Sequence, residues 1–404
     1  MLPILLGLAV TLLLLAVVVA WGIRKQGLHR WLASYLLRLS KNRLPGPDEE
    51  VHVLLCIADH YEPRACRPTD EIARARVERW RRDYPRLSDR FADSDGRKPR
   101  HTFFFPAEEY EPEWLDRLAE LCGLGYGEVE IHLHHDRDTP DGFRRKLADF
   151  RDQLAGRHGL LGRHKETGEV GFAFIHGNWA LCNPLPGGKF CGVDQELGIL
   201  REVGCFVDMT MPSAPDRTQM ARINQIYYAS DIPGRRCSHQ VGVEVGTQRQ
   251  PEGSLMLLQG PLVLDWGNRR WGLVPRNENA CLQGSQPPAL RRLWNWLRAR
   301  VQVPSRPDWF FVKLHCHGAM EIDADTLLGE PMARFHEDLT AHARAHPHFH
   351  YHYVSAREMY NLARAAEAGW RGSVAEALDF EILPGPALLG PRPAKVGGAA
   401  LDRE

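Results

Sequence analysis

The chain has 404 residues, 51 basic and 51 acidic side chains, a formal net charge of zero and 44% hydrophobic residues. That length supports one large core or two modest ones, and the balanced charge with no basic stripe excludes a nucleic-acid footprint. Nine cysteines at irregular spacing, with no CxxC pair, exclude a disulfide framework and fit buried thiols in a reducing compartment.

Residues 1–23 carry no charged side chain. A helix of about 20 residues spans the ~30 Å hydrocarbon layer. No basic segment precedes the apolar run, as a cleaved signal peptide would require. Residues 1–23 are therefore expected to form a single-pass membrane anchor. Arg24, Lys25, Arg30, Arg38, Lys41 and Arg43 follow, with no acid before Asp48. By the positive-inside rule the rest of the chain then lies in the cytoplasm. Leu28, Trp31, Leu32, Tyr35, Leu36 and Leu39 recur at helical spacing among these basic residues. The pattern predicts, within residues 24–47, an interfacial helix on anionic lipid and then a linker.

From residue 48 to 368 short apolar strands alternate with amphipathic helices. Strands are expected at His52–Ile57, Thr102–Phe105, Val129–His134, Phe172–His176, Cys205–Met209, Trp309–His315 and Phe349–Val354. Helices are expected at Asp70–Arg82, Glu113–Leu121, Gly142–Leu154, Gln195–Val203, Pro288–Arg300, Glu330–His346 and Ala356–Ala368. The rhythm suits an α/β domain built as a distorted (β/α) barrel of about seven strands. Residues 216–283 break it with Gly and short β-like runs, and Asp265-Trp266-Gly267-Asn268 has hairpin-turn chemistry. This segment is read as a β-hairpin insertion over the barrel mouth. Residues 369–404, rich in Gly, Pro and Ala, are expected to be a disordered tail.

Metal-ligand side chains gather at strand ends. Glu130, His132 and His134 share one strand face, and burying three ionisable groups there is costly without a partner such as a metal ion. Asp59 and His60 end the first strand, and both types are ligands for Zn²⁺ and other divalent ions. Asp138 lies four residues after His134 and completes the candidate ligand set. His315 ends the sixth strand, where an imidazole makes a natural general acid, with His317 beside it and Cys316 turned into the wall. His176, Asn178 and Trp179 end another strand and are expected to line the cleft, the indole as a stacking platform for sugar. His348, His350 and His352 alternate on the last strand and read as structural.

In this order the clusters resemble the polysaccharide deacetylases of the NodB-homology type, carbohydrate esterase family four. Ala58-Asp59-His60 matches the place of that family's paired Asp, with Asp59 at the base position and His60 at the ligand position. Glu130-Ile131-His132-Leu133-His134 is similar to its second motif, with Asp138 where a second His would stand. The segment Glu202–Pro212, which includes Asp208, and Leu314-His315 resemble later motifs. The chain has no double Asp, no second motif His, and no Arg near His176. The resemblance implies a divalent metal, often zinc, with His60, His134 and Asp138 at ligand positions; Asp59 and His132, beside them on the strands, complete the candidate metal set. It also implies Asp59 as base and His315 as acid; His176, Asn178, Trp179, Asp208 and His317 are expected to form the substrate side. The expected function is membrane-anchored deacetylation of a carbohydrate or lipid-linked glycan. Two alternatives stay open: a barrel hydrolase of glycosidic or phosphate bonds using Asp59, Glu62 or Glu130, and a non-catalytic scaffold of a glycan-assembly complex.

Overall fold

The computed structural model describes residues 2–41 and 43–389. Helix α1 (Leu2–Lys25) is long and apolar enough to cross a membrane. After it come a single 3-10 turn and the short α2 (Leu32–Leu37). Then the alternation begins: β1 (Val51–His60), α3 (Asp70–Ser88), β2 (His101–Pro106), α4 (Pro112–Gly123), β3 (Gly127–Leu133) and α5 (Pro140–Gly156). Next are β4 (Gly162–His164), β5 (Val170–His176), α6 (Glu196–Glu202) and β6 (Cys205–Asp208). The former insertion supplies β7 (Ile226–Ala229), β8 (Val243–Glu244), β9 (Leu255–Leu258), β10 (Val263–Arg270), β11 (Val274–Glu278) and β12 (Cys281–Leu282). The chain continues with α7 (Leu290–Arg298), β13 (Trp309–Cys316), α8 (Glu321–Leu327) and α9 (Glu330–Ala345), then β14 (Phe349–Tyr353), α10 (Ala356–Glu367) and β15 (Ile382–Leu383).

The helices start where local chemistry tells them to. Thr139 accepts from the Gly142 N–H, and Pro140 occupies the first turn of α5. Ser355 and Glu358 form a reciprocal capping box on α10.

The main sheet runs β12-β13-β1-β2-β3-β5-β6-β9-β7-β8, and it is parallel from β12 to β9. Strand β14 adds to the first half of β1, pairing residues 51–55 before β2 takes over at Ala58. The expected distorted barrel does not close: among the described residues no ladder joins β9 to β13. A side chain bridges the gap instead. Lys313 on β13 donates to the carbonyls of Met209 (2.6 Å) and Met211 (2.9 Å), just beyond β6.

Strand parity sorts the core into two layers. Val53, Leu55, Ile57, Val129, Ile131, Leu133, Val312 and Leu314 pack on the helix-covered side, against Trp80, Leu115 and Leu147. Leu54, Cys56, Ala58, Phe104, Ala173, Ile175 and Phe311 face the inner side. Val263 from the base of the hairpin and Met359 from α10 join that inner cluster. So do Leu28, Trp31 and Tyr35, which were expected at the lipid surface and are buried in protein. Only Leu36 and Leu39 of that stripe are exposed.

The 216–283 segment is also corrected. Strands β7 and β9 extend the sheet, and only β10–β11 stands apart as a hairpin. Its turn lies at Trp271-Gly272, both at positive φ, while Asp265–Asn268 forms an irregularity within β10. Trp271 stacks on Trp21 at the end of α1, with ring centroids 6.1 Å apart. The tail is ordered beyond residue 369: β15 pairs with β4, and the Asn361 side chain bonds the backbone of Glu381 and Ile382. The expectation for residues 390–404 lies outside the described residues.

Candidate metal centre

Three strands deliver imidazoles to one place at the C-terminal edge of the parallel sheet, the edge where open α/β sheets bind ligands. On β1 the inner positions run Leu54, Cys56, Ala58 and end with His60. On β3 they run Glu128, Glu130, His132, with His134 next. On β13 they run Trp309, Phe311, Lys313 and His315. The His60 ring lies 4.9 Å from His132, 4.9 Å from His317 and 6.4 Å from His315, centroid to centroid. Trp179 closes one side, 5.8 Å from His60 and 6.0 Å from His317.

Glu62, two residues past His60, reaches into the same group. Donor atoms of His60, Glu62 and His132 all lie within 4.8 Å of one another. The protonation of His132 decides what this means. Its Nδ1 donates to the Ile175 carbonyl at 2.8 Å, which leaves Nε2 as a lone-pair atom. That Nε2 is buried with no hydrogen-bond donor and faces Glu62 Oε1 at 3.3 Å. Burial also keeps the His132 and His60 rings from taking a second proton, and the neighbouring imidazoles hold His60 down further. Burial works against ionisation of Glu62, and positive charge on its imidazole side, at His132 first, is what pulls its carboxyl down to about 2. The lone pair of His132 and the Glu62 carboxylate, with His60 in reach of both, make a ligand set that a divalent cation can use. The tie from the second His132 nitrogen to a backbone carbonyl is the usual support for a metal-ligating imidazole.

His134 sits beside this group rather than in it. Its Nδ1 meets Glu108 at 2.5 Å and its Nε2 lies 3.6 Å from Glu62. Gly177 passes so close to the His134 ring that a Cβ there would clash with it. His315 is buried, its Nδ1 has no partner, and burial first, then Lys313, His317 and Arg292, keep it well below its ordinary pKa. Glu130 lies deeper; its Oε2 accepts from the Ala173 N–H at 2.6 Å, and burial with the charge of Glu128 keeps its carboxyl neutral.

Other expected site residues lie elsewhere. Asp59 points to the helix-covered side, where its carboxylate meets His101 Nε2 at 2.9 Å and the Gly318 N–H at 2.6 Å. A strand residue next to an inward His60 must face outward, so Asp59 is separated from the centre it was expected to serve. Asp138 turns back to Lys146 (2.7 Å) and His135 (3.4 Å) and does not join His134. His176 also lies on the outer side, and Asn178 sits in the following turn at φ 54. Asp208 accepts from the Thr210 hydroxyl (2.7 Å) and N–H (3.1 Å), and Thr210 Oγ1 accepts from the His176 N–H at 2.9 Å. That chain ties strand ends together. Cys316 points into the wall as expected.

Glu62 was legible only as an acid–base candidate, although its parity with Ala58 and His60 could have placed it. Glu108 gave no sequence signal. Compared with models of protein families and with curated proteins, the chain matches none.

Proposed function

We propose that this chain is a membrane-anchored, metal-dependent hydrolase that removes acyl groups, acetyl above all, from a carbohydrate or lipid-linked glycan. The observation that carries the reading is the buried meeting of the unpartnered His132 Nε2 with His60 and Glu62 at the sheet's C-terminal edge. These three residues would hold the ion, with Zn²⁺ favoured by two imidazoles and a carboxylate. A divalent ion there supplies Lewis acidity toward a carbonyl oxygen. The acetyl substrate class rests on the resemblance of Glu130–His134 and Leu314-His315 to the NodB-homology deacetylases.

The base role expected of Asp59 passes to His315. Its Nδ1 is unpartnered and so free to take the proton of an attacking water, against the burial and the Lys313 charge that hold its pKa down. The same imidazolium then returns a proton to the leaving nitrogen or oxygen. Trp179 and His317, both half-buried, offer a face on which a sugar ring can stack. The anchor reading is supported by α1 and by the Trp21–Trp271 stack that joins its end to the domain. The basic run from Arg24 to Arg43 favours a cytoplasmic domain, and with it a lipid-linked or nucleotide-linked substrate.

The test is acetate release from N- and O-acetylated oligosaccharides by the full chain in detergent, with and without chelator. Release that chelation abolishes and zinc restores supports the proposal. A metal-loaded chain that frees no acetate from either class overturns the acetyl assignment.

A further inference from the structure

Behind the sheet wall, on the side away from the mouth, lies a second group of ligand side chains. His135 follows β3, His176 ends β5, Cys191 lies in the loop that follows, and Glu196 opens α6. All four are buried, and their ligand atoms lie within 4.8 Å of one another. His176 Nδ1 donates to the neighbouring Gly177 carbonyl, so its Nε2 carries a lone pair. That Nε2 lies 2.8 Å from His135 Nε2 and 3.2 Å from Glu196 Oε1, and His135 Nε2 is also 3.2 Å from Glu196 Oε1. Cys191 Sγ is 3.5 Å from the other Glu196 oxygen.

Nitrogen and oxygen ligands at about 2.0–2.1 Å around tetrahedral zinc stand about 3.3 Å from one another. The observed triangle is of that size. Glu196 is fully buried, and among the described residues its salt-bridge partners are His135 and His176 alone. The outer nitrogen of His135 faces Asp138 at 3.4 Å, and Lys146 holds that carboxylate at 2.7 Å. A carboxylate behind a ligating imidazole is the usual second support of a metal site.

We propose that His135, His176, Cys191 and Glu196 form a second metal site, structural and selective for zinc. The thiolate and two imidazoles select zinc over magnesium or calcium. An ion here staples the irregular stretch between β5 and α6 to the sheet. In that stretch Asn178, Trp179, Cys182, Asn183 and Phe190 all hold positive φ, a conformation non-glycine residues adopt at a cost. Trp179, which flanks His60, belongs to the same stretch, so the site also fixes one wall of the mouth.

The experiment is metal analysis of the full chain in detergent, followed by replacement of the metal with Co²⁺ and absorption spectroscopy. The wild type should hold two ions, and its Co²⁺ form should show thiolate-to-cobalt charge transfer. Cys191→Ser should lose that absorption and one equivalent of metal. Cys316→Ser, which alters the cysteine beside Asp59 and His101, should keep both. His132→Ala should lose the other equivalent and keep the thiolate absorption, so the two centres fail independently. Absence of thiolate absorption in the wild type, or its persistence in Cys191→Ser, overturns the site. If Cys191→Ser does not accumulate, zinc X-ray absorption of the wild type decides: sulfur in the zinc shell supports the site, and a shell of nitrogen and oxygen alone ends it.

Discussion

Asp59 Oδ2 lies 2.9 Å from His101 Nε2 on the helix-covered side of the sheet, while the adjacent His60 turns its ring to His132 on the other side. Neighbours on one strand thus serve different ends. Asp59 fastens β2 and the Gly318 turn to β1, and His60 faces the candidate metal centre. Asp59→Asn should lower stability by about 1–3 kcal/mol, because it weakens buried charge-assisted hydrogen bonds. Metal content should not change. Thermal unfolding and metal analysis of the same sample check this; loss of bound metal at unchanged stability would return Asp59 to the centre.

Lys313 holds together a sheet whose ladder does not close. Its ammonium is fully buried, and burial pulls its pKa down to about 8. Lys313→Met keeps the volume and leaves the Met209 and Met211 carbonyls without their donor. The expected cost is about 2–4 kcal/mol, read as a lower unfolding midpoint with the mouth ion retained. A variant as stable as the wild type would show that the bridge contributes nothing.

Glu109 gives the metal-free chain a pH signature. Burial raises its carboxyl from 4.5 to about 7; the Arg64 N–H opposes the rise, the charges of Glu62 and Glu108 add to it, and that of His134 opposes it. A carboxyl with a folded pKa above its unfolded value stabilises the fold fully at pH below the unfolded value. That contribution is lost as pH climbs through the folded one. Between pH 4.5 and 7, therefore, this group should remove no more than about 3 kcal/mol of stability. Glu109→Gln should flatten the slope in that window. Unfolding midpoints across the window test it, and an unchanged slope in the variant speaks against the assignment.

Much of the parallel sheet could be read from periodicity. The seven expected strands and seven expected helices all occur, because apolar alternation and capping residues are local signals. The face shared by Glu130, His132 and His134 followed from strand parity alone. Parity alone separates Asp59 from His60; the expectation that both reach one cavity rested on the chain turning at the strand end and on the family resemblance. Closure was not legible, since it depends on whether β9 meets β13 across a long segment. The stripe at Leu28, Trp31 and Tyr35 looked lipid-facing because helical spacing states that a face is apolar, not what covers it. The second ligand group draws on residues from His135 to Glu196, and only the fold brings them within reach.

The most direct test of the central claim is the metal content of Glu62→Gln beside the wild type. The substitution keeps the shape and removes the charge that meets His132 at 3.3 Å. The account predicts that the variant folds, keeps its thiolate-bound ion and holds one divalent ion fewer per chain than the wild type. An unchanged metal content in a folded Glu62→Gln chain would contradict it.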